Sequence, residues 1–345
     1  MSWQIRILYT LILFVAWSVL IYFYVDYSLS TPQRTVNVQV EIKPGASTSE
    51  IGQVLKKQHL IRNEWLFRAY TWYTGKSKGL QAGVYEIPPD ADLDRILEMV
   101  TSGSQNAVTI PEGYTLEQIA DHLEKKTNIS KEEFIQAAEK KEYDHDFLQD
   151  LPDDPARRYR LEGYLFPSTY NIPKSAKAEK VIGMMLEQFE QKMEEYNVQT
   201  ILKQRNMSVD DWVNVASIVE REARVKKEFP KISGVIYNRL EIGQRLQVDA
   251  TVRYGLMKQK APLTFEDLKK ETPYNTYRNK GLPPGAISNP GEKALLAALK
   301  PEKHKYLYYV TKKDGSGEHY FAETFDKHKE FNAKSKKTRA QQNGE

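Results

Sequence analysis

Residues Trp212–Val225 read WVNVASIVEREARV. Six of the first eight are apolar, and the run then meets Glu220 and Glu222. A helix is expected from Val209 to about Lys227, capped by Ser208 with Asp210 and Asp211 in its first turn. At about 100° per residue, Trp212, Val215, Ala216, Val219 and Ala223 form the apolar face, widened by Val213 and Ile218. Glu220 falls on one edge, beside Val213 and Ala216. Glu222 falls on the other, beside Val215 and Ile218. About 160° separates them, so they cannot pair on this helix. Either edge can partly dry a carboxyl group and raise its pKa, as a general acid working near neutrality requires. Periodicity does not choose between them, and Glu222 with Lys226 at i+4 also reads as an ordinary surface ion pair.

Outward from this helix, the rest of the chain narrows the chemistry. The 345 residues carry 50 basic and 46 acidic groups, a formal charge of +4. That balance lacks the clustered basic charge of a nucleic-acid binder, and the length allows about two or three domains. Cysteine is absent, which excludes disulfides and thiolate metal sites. The six histidines contain no H-x-x-x-H, and no G-x-S-x-G, Walker or G-x-G-x-x-G sequence occurs. No metal and no cofactor is expected. Carboxylates remain as acid–base groups: Glu162 in LEGYLFPSTY, Glu220, Glu222, and Asp249 in LQVDATVRYG. Glu162, beside Tyr164, either lines a cleft or holds its loop by hydrogen bonds. Asp249 reads first as the cap of a helix beginning at Ala250. Asn275, Tyr277 and Asn289 stand in the long Gly/Pro-rich loop Thr272–Gly291. Amides there suit sugar hydroxyl and acetamido groups, and they equally suit tight turns.

At the N-terminus, Ile7–Val25 is 19 residues without charge. At ~1.5 Å per residue such a helix spans a bilayer core, with Trp3, Tyr22 and Tyr24 near its ends, where aromatic rings favour the interface. Arg6 precedes it and Asp26 follows it, so the positive-inside rule puts residues 1–6 in the cytoplasm and the remainder outside. A cleaved signal peptide is the other reading. The long apolar run and the lack of an A-x-A site disfavour it. A polar linker is expected over 26–35.

A weak repeat follows. IKPGASTSEIGQVL (Ile42–Leu55) aligns with IPEGYTLEQIADHL (Ile110–Leu123) at a shift of 68, and IPPDADLDRILEMV (Ile87–Val100) is a looser copy. Each reads as a strand, a tight turn and a capped helix start, with Ser47, Asp92 or Thr115 in the cap place. The first copy continues into a second helix, Glu64–Thr74, and an alternating strand, Leu80–Ile87. This strand-helix-helix-strand order over residues 36–105 resembles a LysM module, a small fold that commonly binds the N-acetyl sugars of peptidoglycan or chitin. A second strand-helix segment over 106–150 joins it to a mainly helical region, 151–334. That region ends in a hairpin, Tyr306–Thr311 and Glu318–Thr324 around KKDGSG, and a helix over 325–334. The tail 335–345 reads as disordered. The fold class is α+β.

ASIVEREA, LEGYLFPSTY, LQVDATVRYG and YNTYRNKGLPPGAISNPG, in this order behind an anchor and a LysM-like region, resemble the MltG/YceG family of endolytic murein transglycosylases. The resemblance runs from the anchor to the final hairpin. It implies that Glu220, the first Glu of S-I-V-E-x-E, is the catalytic acid and base, and that 151–334 is the catalytic domain. It also implies that the partner is the glycan strand of peptidoglycan, cut between N-acetylmuramic acid and N-acetylglucosamine to leave 1,6-anhydro ends at the outer face of the bacterial cytoplasmic membrane. Peptidoglycan synthases are plausible partners there, though no residue displays it. Ser168 stands where the family loop often has Asp, so no acidic role is assigned to it. For Glu220 to stay protonated it needs apolar neighbours and no tight cation, and Arg224 at i+4 is the cation to watch.

Overall fold

The computed structural model describes residues 3–43, 45–102, 107–140, 143–149, 151–173, 176–258 and 263–343. Residues 1–2, the 103–106 stretch around the expected domain boundary, and 344–345 of the expected tail lie outside the described residues, as does the side chain of Arg6. The chain forms two compact units, Met1–Val108 with Tyr170–Ser175, and Thr109–Thr169 with Ala176–Glu345.

The first unit begins with α1 (Trp3–Leu29), then β1 (Val38–Ile42), α2 (Thr48–Lys57), α3 (Glu64–Tyr73), β2 (Gly83–Ile87) and α4 (Leu93–Thr101). Its described segment Leu11–Leu29, 19 residues of mean hydropathy 1.7 and only 6% buried, is long and apolar enough to cross a membrane. The helix outruns the expected 7–25 segment at both ends. The expected linker is fastened rather than free. Ser28 is buried, Leu29 packs on the core, and Arg34 donates to the carbonyls of Pro88 and Ala91. β1 and β2 pair antiparallel, Val38 opposite Ile87 and Ile42 opposite Gly83. Val40, Ile42, Tyr85 and Ile87 of this ladder bury against Ile51, Leu55, Phe67, Ile96 and Leu97.

All three expected caps form. Ser47 and Thr115 each close a capping box, with Glu50 and Gln118, and Asp92 accepts from the Arg95 N–H. The aligned Gly45 and Gly113 both take φ near +75° (78° and 74°), the left-handed turn an L side chain resists. The repeat therefore records one local solution for turning a strand into a helix, used again in the other unit.

The chain passes between units through β3 (Ala107–Thr109) and later β4 (Thr169–Asn171), which form a two-stranded sheet. Between them lie α5 (Leu116–Lys126) and α6 (Lys131–Lys140), the latter capped by Ser130. Then follow α7 (Ala178–Glu195), α8 (Val198–Arg205), α9 (Val209–Glu222), α10 (Phe229–Glu241), α11 (Asp249–Gly255) and α12 (Glu292–Leu299). Last come β5 (Tyr308–Thr311), β6 (His319–Ala322) and α13 (Phe325–Asn343). β5 and β6 pair antiparallel, Tyr308 opposite Ala322.

Three expectations need correction here. First, α9 has no solvent-facing side along its middle. Every residue from Trp212 to Val219 is buried, as befits a central helix enclosed on all sides. Three of its polar side-chain groups are bonded: Trp212 Nε1 to Leu295 O at 2.9 Å, Asn214 Nδ2 to Pro283 O at 2.7 Å, and Ser217 Oγ to Asn214 O while it accepts the Ile287 N–H. Second, α9 stops at Glu222, because Ala223 turns extended (φ −80°, ψ 128°). Arg224 thus lies beyond the helix, exposed. Third, the tail is helical through Asn343. Ser335 is buried and donates to Thr311 O at 2.6 Å, and Phe331 stacks on Tyr320.

Candidate active site

Glu220 occupies the last turn of α9, where the buried helix reaches the edge of its surroundings, and is half-buried. Its Oε2 accepts the backbone N–H of Gly291 at 3.0 Å. Gly291 is the N-cap residue of α12, so the loop Thr272–Gly291 delivers a helix start to this carboxyl. On another side lies the turn before α5. A Cβ built on Gly113 would stand 3.4 Å from Glu220 Cγ and 3.9 Å from its Oε1 and from Arg221 Cδ. Arg221 donates to Gly113 O at 3.2 Å, which ties that cation to the turn.

Burial pushes the Glu220 carboxyl above its ordinary value. The Gly291 N–H opposes this, the like charge of Glu112 adds to it, and Lys293 and Arg221 pull weakly the other way. Local sequence patterns do not single out Glu112. It is exposed, next to Gly113, and a Cβ on Gly291 would overlap its Cδ and Oε1. Both carboxyl groups therefore border the same glycine. The repeat held a signal for it: at the shift of 68, Glu112 replaces Pro44.

Glu222 belongs to a second cluster. Its Oε2 accepts Tyr309 OH at 2.9 Å. Burial raises its pKa, the Tyr309 hydroxyl opposes, Asp249 adds to the rise, and Arg221 and Arg253 oppose. Asp249 does not cap α11, which already includes it. Its carboxylate accepts Tyr277 OH at 2.7 Å instead. Periodicity found both glutamates but not Tyr309, which lies 87 residues away in sequence.

The other expected contact residues are placed differently. Glu162 is 1% exposed and Asn289 is wholly buried. Glu162 accepts the Leu116 N–H with both oxygens (3.0 and 3.1 Å), Tyr254 OH at 2.9 Å and Asn289 Nδ2 at 2.9 Å. Burial pushes it up to about 8 against these donors. Asn289 Oδ1 accepts the N–H groups of Gly163 and Leu165, and its Nδ2 also reaches Tyr114 O. Its backbone brackets the turn before α5: Gly113 N donates to Asn289 O, and Asn289 N to Tyr114 O. These two residues frame the site; they do not face a ligand. Gly163 (φ +98°) makes the frame possible, since a Cβ there would stand 2.6 Å from both Ala286 Cβ and Val213 Cγ1. Tyr164 and Asn275 lie apart and fully buried. Tyr164 OH donates to Asp210, itself held by Arg157. Asn275 spans the Leu268 and Lys270 carbonyls. Neither can meet a polymer. A cavity of about 710 Å³ is lined by Asp210, Asn214, Tyr237 and Pro283 at the other end of α9, and Glu220 is not part of it.

Comparison with known proteins fixes the family. Residues 40–334 match the YceG-like family. The chain belongs to that family. It is 37% identical over 303 residues to an endolytic murein transglycosylase of Bacillus subtilis, covering 84% of this chain and 82% of that one. An endolytic murein transglycosylase of Streptococcus pneumoniae is 31% identical over 84% of this chain, which spans 57% of that protein's length. The crystal structure of a YceG-like protein from Listeria monocytogenes superposes with a TM-score of 0.58 at 33% identity, covering 86% of this chain and 99% of that one.

Proposed function

We propose that this chain is a membrane-anchored, endolytic lytic transglycosylase. It sits in the bacterial cytoplasmic membrane by α1, N-terminus inside, with the second unit outside. It cuts the β-1,4 bond between N-acetylmuramic acid and N-acetylglucosamine within nascent strands, leaves 1,6-anhydro ends and so ends their elongation. The βααβ order of the first unit is read as LysM-like and as a handle for the same polymer.

The observation that carries the reading is the Glu220 carboxyl. It is partly dry, raised in pKa, held by a neutral N–H donor, and bordered by two glycines whose missing side chains leave backbone against it. A protonated carboxyl of this kind donates its proton to the glycosidic oxygen as the C1–O bond breaks and positive charge grows on the muramyl ring. The carboxylate left behind removes the proton of the C6 hydroxyl. That oxygen then bonds to C1 and closes the anhydro ring, and Glu220 is protonated again without water being consumed.

A second reading has its own observation. Their shared border at Gly291 keeps Glu112 and Glu220 no more than about 8 Å apart, a reach that takes in the carboxylate pairs of glycoside hydrolases, ~5–5.5 Å in retaining and ~6.5–9.5 Å in inverting enzymes. The names of the relatives favour the lyase. Mass spectrometry of digested murein decides: anhydro ends, one water lighter, support transglycosylation, and reducing muramic ends support hydrolysis. Glu220→Gln should lower muropeptide release at least about a hundredfold. Undiminished release would reject the assignment.

A further inference from the structure

α3 has two faces of unlike partner. Phe67 and Thr71 point into the first unit's core. Trp65, Arg68, Ala69, Trp72 and Tyr73, spaced i, i+3, i+4, i+7 and i+8, are all exposed, the three aromatic residues by 68%, 78% and 83%. That spacing makes one continuous stripe, the pattern of a face meant to be covered. Its one charge, Arg68, lies over the Trp65 ring at 5.1 Å, so the stripe presents aromatic surface with a cation at its edge.

What covers it follows from its neighbour. α1 ends against this part of the unit. Arg62, at the entrance to α3, lies over the Tyr27 ring at 4.4 Å and donates to Tyr27 OH at 3.2 Å and to Ser30 Oγ at 3.3 Å. With Ser28 buried and Leu29 packed on the core, the end of α1 and the start of α3 are fastened together. A segment fastened to the last turn of a spanning helix is held at the membrane–water boundary. Trp and Tyr rings with an Arg beside them are the side chains that boundary favours.

We propose that the Trp65–Tyr73 stripe is a membrane-interface site: α3 lies on the lipid headgroup region beside the exit of α1, so the first unit rests on the bilayer. This rests on α1 spanning that bilayer. The alternative occupant, a glycan strand stacked on the rings, is an outcome of the test.

The chain has no cysteine, so one introduced thiol is a unique label site. Ala69→Cys places a fluorophore on the stripe with every aromatic ring retained, and Trp17→Cys places one in the middle of α1. The full chain is reconstituted in vesicles of phosphatidylethanolamine and phosphatidylglycerol, with spin-labelled lipid at headgroup or mid-chain depth. The label at 69 should lose most of its emission to the headgroup quencher and little to the mid-chain one, and should regain it when Trp65→Ser and Trp72→Ser are added. An unquenched label at 69 with a quenched label at 17 overturns the interface site alone. An unquenched label at 17 overturns the anchor reading with it. Emission at 69 that responds to solubilised glycan strands but not to lipid quenchers also overturns the site and makes the stripe a glycan platform.

Discussion

Removing the charge of Glu112 should move the pH dependence of catalysis, by an amount the geometry bounds. Their shared border at Gly291 holds the two carboxyl groups within about 8 Å. Two unit charges at that distance repel by about 0.5 kcal/mol in water-like surroundings and about 2 kcal/mol at an effective dielectric constant of about 20. Those energies correspond to about 0.4 and 1.5 pH units. Glu112 is exposed, so the smaller figure governs, and about half a unit is expected. The sign follows from the role. Glu220 must be protonated to donate, and the Glu112 charge raises its pKa. Glu112→Gln therefore lowers it, and the alkaline limb of the rate profile moves to lower pH. Screening is strong at this distance, where the Debye length in physiological salt is about 8 Å, so the shift should grow as salt is removed. The assay is release of anhydro-muropeptides from sacculi across the neutral range at two ionic strengths, by liquid chromatography and mass spectrometry. An alkaline limb that stays in place at low salt, or moves upward, refutes the electrostatic link. Loss of all activity at every pH would instead mark Glu112 as a participant in the chemistry.

Other outcomes follow from the same geometry. Gly291→Ala places a Cβ on the Glu112 carboxyl; because that side chain is exposed and flexible, the fold should persist while the rate profile shifts as for Glu112→Gln, with an unchanged profile counting against the shared border. Asn289→Ala strips partners from the Gly163 and Leu165 N–H groups and from Glu162, a cost of about 2–4 kcal/mol measurable by denaturant unfolding. Glu162, about 8 when folded against an ordinary 4.5, holds a proton that the unfolded chain has already shed. Its contribution to stability is complete below about pH 4.5 and is lost as pH rises through about 8, on the order of 5 kcal/mol in all. Glu162→Gln should flatten that part of the stability–pH curve, and an unchanged slope would mean that the folded carboxyl titrates normally.

Much of the fold was legible because its causes are local. The caps at Ser47, Asp92 and Thr115 bond to an N–H three residues on, and the left-handed Gly45 and Gly113 need only their own backbone. The span of α1 is a matter of consecutive apolar residues. Spacing fails where burial comes from all sides: periodicity gives α9 one apolar face with two edges, yet Asn214 and Ser217 are as buried as their apolar neighbours, because loop 283–288 bonds to both. The lengths of α9 and α13 escape local patterns for a related reason. A helix ends or continues according to what its last turn packs against, and Ser335 on Thr311 is a contact that no local pattern announces.

The sequence by itself determined the carboxylate chemistry, the anchor-length helix and the turns that start three helices, since each depends on residue type or on neighbours within one helical turn. Only the tertiary structure decided what each carboxyl does. Glu220 meets Gly291, Glu222 meets Tyr309, and Glu162 is locked by Leu116, Tyr254 and Asn289. Proton affinity depends on how dry a group is and on which dipoles and charges surround it, and the hydrogen-bond donors to these three carboxyls arrive from 46 to 127 residues away along the chain.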